Sequence, residues 1–213
     1  MWETYGTMLA PERRVSMVSF NTTAFLWINA SARPPVWLLD LAWFAAQTLV
    51  LAAPLLLVGG WLWRTRAPRA ALVHAALAAL LGLMINQGIG LLWFEPRPFM
   101  LGLGHQFLAH GADNSFPSDH LTVIWGTAFS LLFHKGWRKA GFALALMGLP
   151  VAWARVYLGV HWPLDMLGAA MVASGSALLL WPWHGALRFA TRLMNRVYRR
   201  IAQPLIARHW IEA

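Results

Sequence analysis

Five apolar runs, at roughly 36–63, 70–94, 119–134, 140–158 and 163–183, constrain this chain more than any other feature. A helix needs about 20 apolar residues to cross the hydrocarbon core of a bilayer, and four of these runs reach that length. Inside a bilayer every backbone polar group must be satisfied within the chain, so runs of this kind fold as helices. The expected fold class is therefore all-α: a polytopic membrane helical bundle of five to six transmembrane helices. The first run holds Pro54 and is long, so it is expected to tilt or kink. The third is short. From Leu121 to Phe133 it rises only about 20 Å against a core of about 30 Å, so its polar start is expected to lie sunk below one membrane surface.

Composition agrees. Of 213 residues, 59% are hydrophobic and 12% charged, where a soluble domain carries about a quarter charged residues. Trp61, Trp63, Trp93, Trp137, Trp162, Trp181 and Trp183 lie near the ends of the runs, as interfacial aromatic belts require. The formal net charge of +9 suits cytoplasmic loops and contact with anionic lipid. No basic patch is interleaved with stacking aromatics outside the runs, which argues against nucleic acid as a partner. There is no cysteine, which excludes disulfides and thiolate metal sites. The opening residues "MWETYGTMLA" lack the basic region of a cleavable signal peptide.

Charge placement orients the runs. Arg64, Arg66 and Arg69 follow the first run, Lys135, Arg138 and Lys139 the third, and Arg188, Arg192, Arg196, Arg199, Arg200 and Arg208 the fifth. These places alternate so as to share one side, which the positive-inside rule makes the cytoplasm. The loops at 95–120 and 155–163 then face outward. Residues 1–35 read as an interfacial segment. Its apolar stretch at 15–30 is expected to lie in the interface rather than form a sixth span, and Arg13, Arg14 and Arg33 fit an outer N-terminus less well. Residues 186–213 read as a basic amphipathic tail on the inner leaflet, with Leu193, Val197 and Ile201 opposite the arginines. No internal repeat is present, and the chain reads as one domain.

The two outward loops hold most of the polar chemistry. Arg97 stands between Pro96 and Pro98, which hold its backbone and suit a guanidinium aimed at phosphate. In "FPSDH", Ser118 is an N-cap candidate before the third run, and a helix start also binds phosphate. His120 follows it, and an imidazole at a sheltered membrane helix start costs free energy without a partner or a task. In "ARVYLGVHWPLD", Pro163 marks a first helical turn. It places His161 at the helix entry and Asp165 within reach of it. A carboxylate on one ring nitrogen leaves the other as a nucleophile. Arg155 ends the preceding helix near the same point. Two histidines and a carboxylate could ligate a metal, but two arginines in the same place repel a cation and favour a phosphate anion, so no metal is expected. His105, His110 and Asp113 read as loop-ordering or headgroup contacts, Glu95 as interfacial, and Asp40 as a lone carboxylate near the outer end of the first run. His74, His134, His184 and His209 read as structural.

These residues resemble a known family, the type 2 phosphatidic acid phosphatases, membrane relatives of the vanadium haloperoxidases. Its motifs are Lys-x6-Arg-Pro, Pro-Ser-Gly-His and Ser-Arg-x5-His-x3-Asp. Here they correspond to Arg97-Pro98, to "PSDH" at 117–120, and to Arg-x5-His-x3-Asp from Arg155 to Asp165. The chain departs from them at Gly90, where the first motif has lysine, at Asp119, where the second has glycine, and at Ala154, where the third has serine. The "RPF", "GHQFLAH" and "FPSDH" segments look most like the bacterial undecaprenyl pyrophosphate phosphatases of that family.

The resemblance implies a cofactor-free enzyme in the bacterial cytoplasmic membrane, with its site facing the periplasm or outside and a polyprenyl pyrophosphate lipid as substrate. It implies His161 as nucleophile, Asp165 as its orienting partner and His120 as proton donor. Arg97, Ser118 and Arg155 would bind phosphate. Asp119 is grouped with them, either tuning His120, contacting the headgroup or making a structural hydrogen bond. Alternatives are a phosphatidate or phosphatidylglycerophosphate phosphatase, a lipid A phosphotransferase, or a non-catalytic lipid-phosphate binder or translocator. Oligomeric state stays open.

Overall fold

A computed structural model describes residues 11–63 and 69–207. All of its regular structure is helical: α1 (Pro11–Ile28), α2 (Val36–Gln47), α3 (Ala52–Trp63), α4 (Arg69–Leu92), α5 (Asp119–Leu132), α6 (Arg138–Tyr157), α7 (Pro163–Leu180) and α8 (His184–Ala207). Arg64, Arg66, Arg208 and the first ten residues lie outside the described residues, as do the side chains of Arg13 and Arg14.

Four stretches are long and apolar enough to cross a membrane: Val36–Leu62, Arg69–Leu92, Arg138–Tyr157 and Pro163–Trp183. The expected kink in the first falls at Thr48, where α2 gives way to a 3-10 turn over Leu49–Leu51 before α3 begins. Pro54 explains the position. It has no N–H for the carbonyl four residues back, and its ring crowds that carbonyl.

α5 has only 14 residues and occupies the centre, packed on α4, α6 and α7. Leu121, Ile124, Ala128 and Leu131 are buried along it. Packing is close because small residues line the seams: Ala75, Ala78, Ala79 and Gly82 on α4, Gly126 on α5, and Gly141 and Gly148 on α6. The large apolar residues point outward instead, among them Leu80, Met84, Leu91, Leu146, Leu149, Met171 and Leu178. Helices in lipid pack in this way, since lipid solvates leucine as well as a core does and the gain lies in close backbone approach.

The N-terminal segment is joined to the bundle. α1 is not among the stretches able to span, yet its C-terminal half is built into the fold. Phe25 is fully buried and meets Trp162 edge-on at 5.2 Å. Asn29 donates to the carbonyls of His105 and Tyr157 and accepts from the His105 amide. Asn21 accepts from the amide of Leu164 at the start of α7. Those polar groups are local in sequence, but their partners are 76 to 143 residues away.

The alternation of helices places the ends. α4 finishes, α5 begins, α6 finishes and α7 begins at one end of the bundle. Arg69, Lys135, Arg138, Lys139 and the arginines of α8 lie toward the other.

Candidate active site

His161 occupies the short connection between α6 and α7 and is 2% exposed. Its Nδ1 lies 2.9 Å from Oδ2 of Asp165. Pro163 starts α7 after Trp162 at the N-cap, which puts Asp165 in the first turn with its carboxylate facing back. The same Oδ2 accepts the Trp162 amide at 2.8 Å and the Ser115 hydroxyl at 2.5 Å. That oxygen already accepts from two donors, so Nδ1 is placed to donate to it as a third, which leaves Nε2 to present its lone pair.

Two guanidiniums meet that lone pair. Nη1 of Arg97 stands 3.1 Å from Nε2, and Nη2 of Arg155 stands 3.3 Å from it. Both side chains are buried, Arg97 at 5% and Arg155 at 1% exposure. Arg97 is anchored on every side: Nε to Asp113, Nη1 also to the Val160 carbonyl, and Nη2 to the Asn114 carbonyl. Trp162 ties the two loops together through Nε1 to the Pro96 carbonyl at 2.8 Å.

Burial pushes the His161 pKa well below its ordinary 6.5, and Arg155, Arg97, His110 and His120 push the same way. The imidazole is therefore neutral at physiological pH and offers a free base at Nε2.

Two buried polar atoms beside this cluster have no hydrogen-bond partner among the described residues, Nε of Arg155 and Oγ of Ser118. An unsatisfied buried group costs about 1–3 kcal/mol, and such groups are rare enough to call for a reason. Both are donors of the kind an oxyanion accepts. Ser118 stands at the N-cap position of α5, but its side chain makes no cap hydrogen bond. Of the two roles the sequence offers Ser118, capping is not the one its hydroxyl takes, and it stands free at a helix start, where the helix dipole also favours an anion.

His120 is half-buried in the first turn of α5, two residues after Ser118. The structure thus gathers Arg97, Ser118, His120, Arg155, His161 and Asp165 at one end of the bundle. Asp119 stands between Ser118 and His120. Its exposed carboxylate accepts from Asn86 at 2.8 Å and from Gln87 at 3.4 Å, both on α4. That is the structural hydrogen bond among the alternatives, and it binds α5 to α4 directly before the site.

The family model of the PAP2 superfamily matches residues 71–189, which include every residue of this cluster. The chain belongs to the PAP2 superfamily. Among relatives, YbjG of Escherichia coli (strain K12), named provisionally as an undecaprenyl-diphosphatase, is 42% identical over 167 residues, 76% of this chain and 83% of its own. Undecaprenyl-diphosphatase BcrC of Bacillus subtilis (strain 168) is 35% identical over 162 residues, 76% of this chain and 83% of its own. Of solved structures, LpxE of Aquifex aeolicus superposes with a TM-score of 0.59 at 24% identity, covering 75% of this chain and 93% of that one. The likeness to LpxE supports the fold alone.

Within this PAP2 site, Gly90 stands where the first motif has lysine. A Cβ there would meet the Asn114 side chain at 3.1 Å. Asn114 receives the Glu95 amide on its side chain, donates to the Phe116 carbonyl, and offers its own carbonyl to Arg97. The space a longer side chain would take is thus filled by a residue that holds Arg97. His110, read from sequence as loop-ordering, stands with its ring 6.2 Å from that of His161. Its pKa is lowered by burial first and by Arg97 next. Asp113 bridges the two, 2.7 Å from Arg97 and 3.6 Å from His110.

Ser115 is the site residue that sequence reasoning missed. It is fully buried, donates to Asp165, and lies 3.4 Å from Nδ1 of His161. A lone serine 46 residues from that histidine carries no sequence signal. The only hint was its place in the "SFPSDH" segment.

Proposed function

We propose that this chain is an integral membrane lipid phosphatase that hydrolyses undecaprenyl pyrophosphate to undecaprenyl phosphate and phosphate, recycling a cell-wall carrier lipid. One observation carries the reading: a neutral, buried His161 backed by Asp165 at Nδ1 and met at Nε2 by Arg97 and Arg155. A base in that setting attacks an atom whose oxygens the two guanidiniums hold. Phosphorus of a phosphate group fits, and the names of the two relatives support a polyprenyl pyrophosphate as its bearer.

The reaction then runs in two displacements. Nε2 of His161 attacks the terminal phosphorus, and the bond from that phosphorus to the bridging oxygen breaks. His120 gives its proton to the departing lipid phosphate. Asp165 stabilises the positive imidazolium as the N–P bond forms. A water, its proton taken by His120, attacks the phosphohistidine and releases phosphate. Arg97, Arg155, Ser118 and the first amides of α5 hold the equatorial oxygens as charge shifts. The attacking base is a histidine nitrogen already met by two cations, so the route draws on no metal or cofactor.

The setting is the bacterial cytoplasmic membrane, with the site facing the periplasm or outside. Arginines and lysines gathered at the end remote from the site support that orientation. A phosphate held at the sunken start of α5 suits a lipid whose polar group lies at the interface.

The test is phosphate release from undecaprenyl pyrophosphate by protein purified in detergent with excess EDTA, beside phosphatidate and phosphatidylglycerophosphate. We expect EDTA-resistant release from the pyrophosphate, lowered at least about a thousandfold by His161→Ala. Release only from the other lipids would keep the mechanism and overturn the substrate. Loss in EDTA with recovery on adding a divalent ion would overturn the mechanism.

A further inference from the structure

At the end of the bundle remote from His161, α8 folds back against α4. Between them lies a cleft of about 370 Å³ whose lining includes Arg69, Arg188, Thr191, Arg192 and Asn195. Three of the seven lining residues carry a guanidinium. Arg69 forms the wall. Its Nε donates to the Trp61 carbonyl at 2.9 Å, and its guanidinium stands 4.9 Å from the centre of the Tyr198 ring and 5.5 Å from that of Trp61. Arg188 and Arg192 are exposed and one helical turn apart. Arg192 stands over Phe189 at 5.8 Å, and neither makes an ion pair among the described residues.

Like charges at this spacing disfavour a helix by a few tenths of a kcal/mol, and nothing described in the cleft offsets them. The described acidic side chains are Asp40, Glu95, Asp113, Asp119 and Asp165, and none lines it. The counter-charge therefore comes from outside these residues. Asn195, which lines the cleft, has a buried amide oxygen with no hydrogen-bond partner among the described residues. A ligand that satisfies both is an anion bearing a hydroxyl.

The position names its source. The same helix exposes Phe189, Leu193, Val197 and Ile201 along a second face. Such a face seats a helix at the acyl boundary, with its cations at headgroup level. We propose that this cleft is a binding site for the phosphate of an anionic, hydroxyl-bearing phospholipid headgroup, in the leaflet opposite the candidate active site. Arg188 and Arg192 bind the phosphate oxygens as forked donors, and Asn195 accepts from the headgroup hydroxyl. The bound lipid fixes α8 against α4 through charge that the protein itself does not supply there.

Native mass spectrometry of the full chain in detergent tests this with phosphatidylglycerol as probe and phosphatidylcholine as control. We expect the first phosphatidylglycerol adduct to form at least about tenfold more tightly than the phosphatidylcholine adduct. Arg188→Gln/Arg192→Gln should weaken it about tenfold or more. Arg199→Gln/Arg200→Gln removes two charges from the same helix outside the cleft and should change it less than about threefold. Equal weakening by both pairs would mean a diffuse attraction of the helix to anionic lipid and would overturn the site, as would no weakening by either. Displacement of the adduct by about 10 mM inorganic phosphate would assign the cleft to soluble phosphate and overturn the lipid. Phosphate release should survive in both pairs, since neither belongs to the catalytic cluster. If the first pair loses it, Arg188→Lys/Arg192→Lys keeps the charge and removes the fork, and an unweakened adduct there would likewise overturn the site.

Discussion

At the scale of single residues, the site depends on how firmly one imidazole is held. Asp165 orients His161, and Ser115 in turn orients Asp165. Ser115→Ala removes a charge-assisted hydrogen bond, a loss of about 1.5–3 kcal/mol, without touching a phosphate-binding group. We expect kcat to fall about tenfold to a hundredfold while KM stays within about threefold. Steady-state kinetics on the purified variant reads this, and a rise in KM with kcat intact would place Ser115 in substrate binding instead.

The protonation of His161 gives a second prediction at this scale. Its pKa is lowered from 6.5 by burial and by the flanking arginines. The neutral, attacking form therefore persists below the pH at which a solvated imidazole takes up its proton. An imidazole at its ordinary value would lose about eightfold of its neutral fraction between about pH 7.0 and about pH 5.5. Phosphohistidine formation in a single turnover should change less than about twofold over that interval on the nucleophile's account. An eightfold loss in a variant whose His120 is replaced, so that its titration does not contribute, would show an unshifted nucleophile. Stability has the same sign. The unfolded chain binds this proton first, so acid draws the protein toward unfolding as pH falls below 6.5.

At the scale of elements, the site rests on the contact of α4 with α5. Asn86 on α4 holds both Asp119 and Thr122 of α5. The two helices come that close because Gly126 faces the Ala79 backbone, where a Cβ would meet its Cα at 3.1 Å. Backbone cannot turn aside as a side chain can. Gly126→Leu should cost about 1–3 kcal/mol of stability through overpacking. It should lower the thermal midpoint in detergent and reduce activity together, because α5 carries Ser118 and His120 away from α4 as it moves. An unchanged midpoint would show that the seam has room that this backbone contact denies.

At the scale of the whole molecule, the chain is sided. The cluster around His161 lies at one end of the bundle and most of the described cations at the other. The absence of cysteine makes single-cysteine reporters clean. Gly111→Cys, in the exposed loop beside the site, should react with an impermeant maleimide in intact spheroplasts. Arg199→Cys on α8 should react only after the membrane is opened. The reverse pattern would invert the proposed orientation.

Much of this architecture was legible in the chain itself. Apolar runs of spanning length can fold only as helices in lipid, so the helices and most of their ends followed from composition and punctuation. Pro163 with Asp165 two residues later announced the His161 turn, because a proline-started helix leaves its first-turn carboxylate facing the entry. What the chain alone could not decide was everything set by approach across sequence distance. Ser115 meets Asp165 50 residues away. Asp119 finds its hydrogen-bond partners on α4, α1 docks under Trp162, and Ser118 leaves its cap unmade. Periodicity and caps are local signals, written in residues a few positions apart. A side chain's choice among several polar partners is made only when packing brings those partners within about 3 Å, and that is a property of the folded bundle.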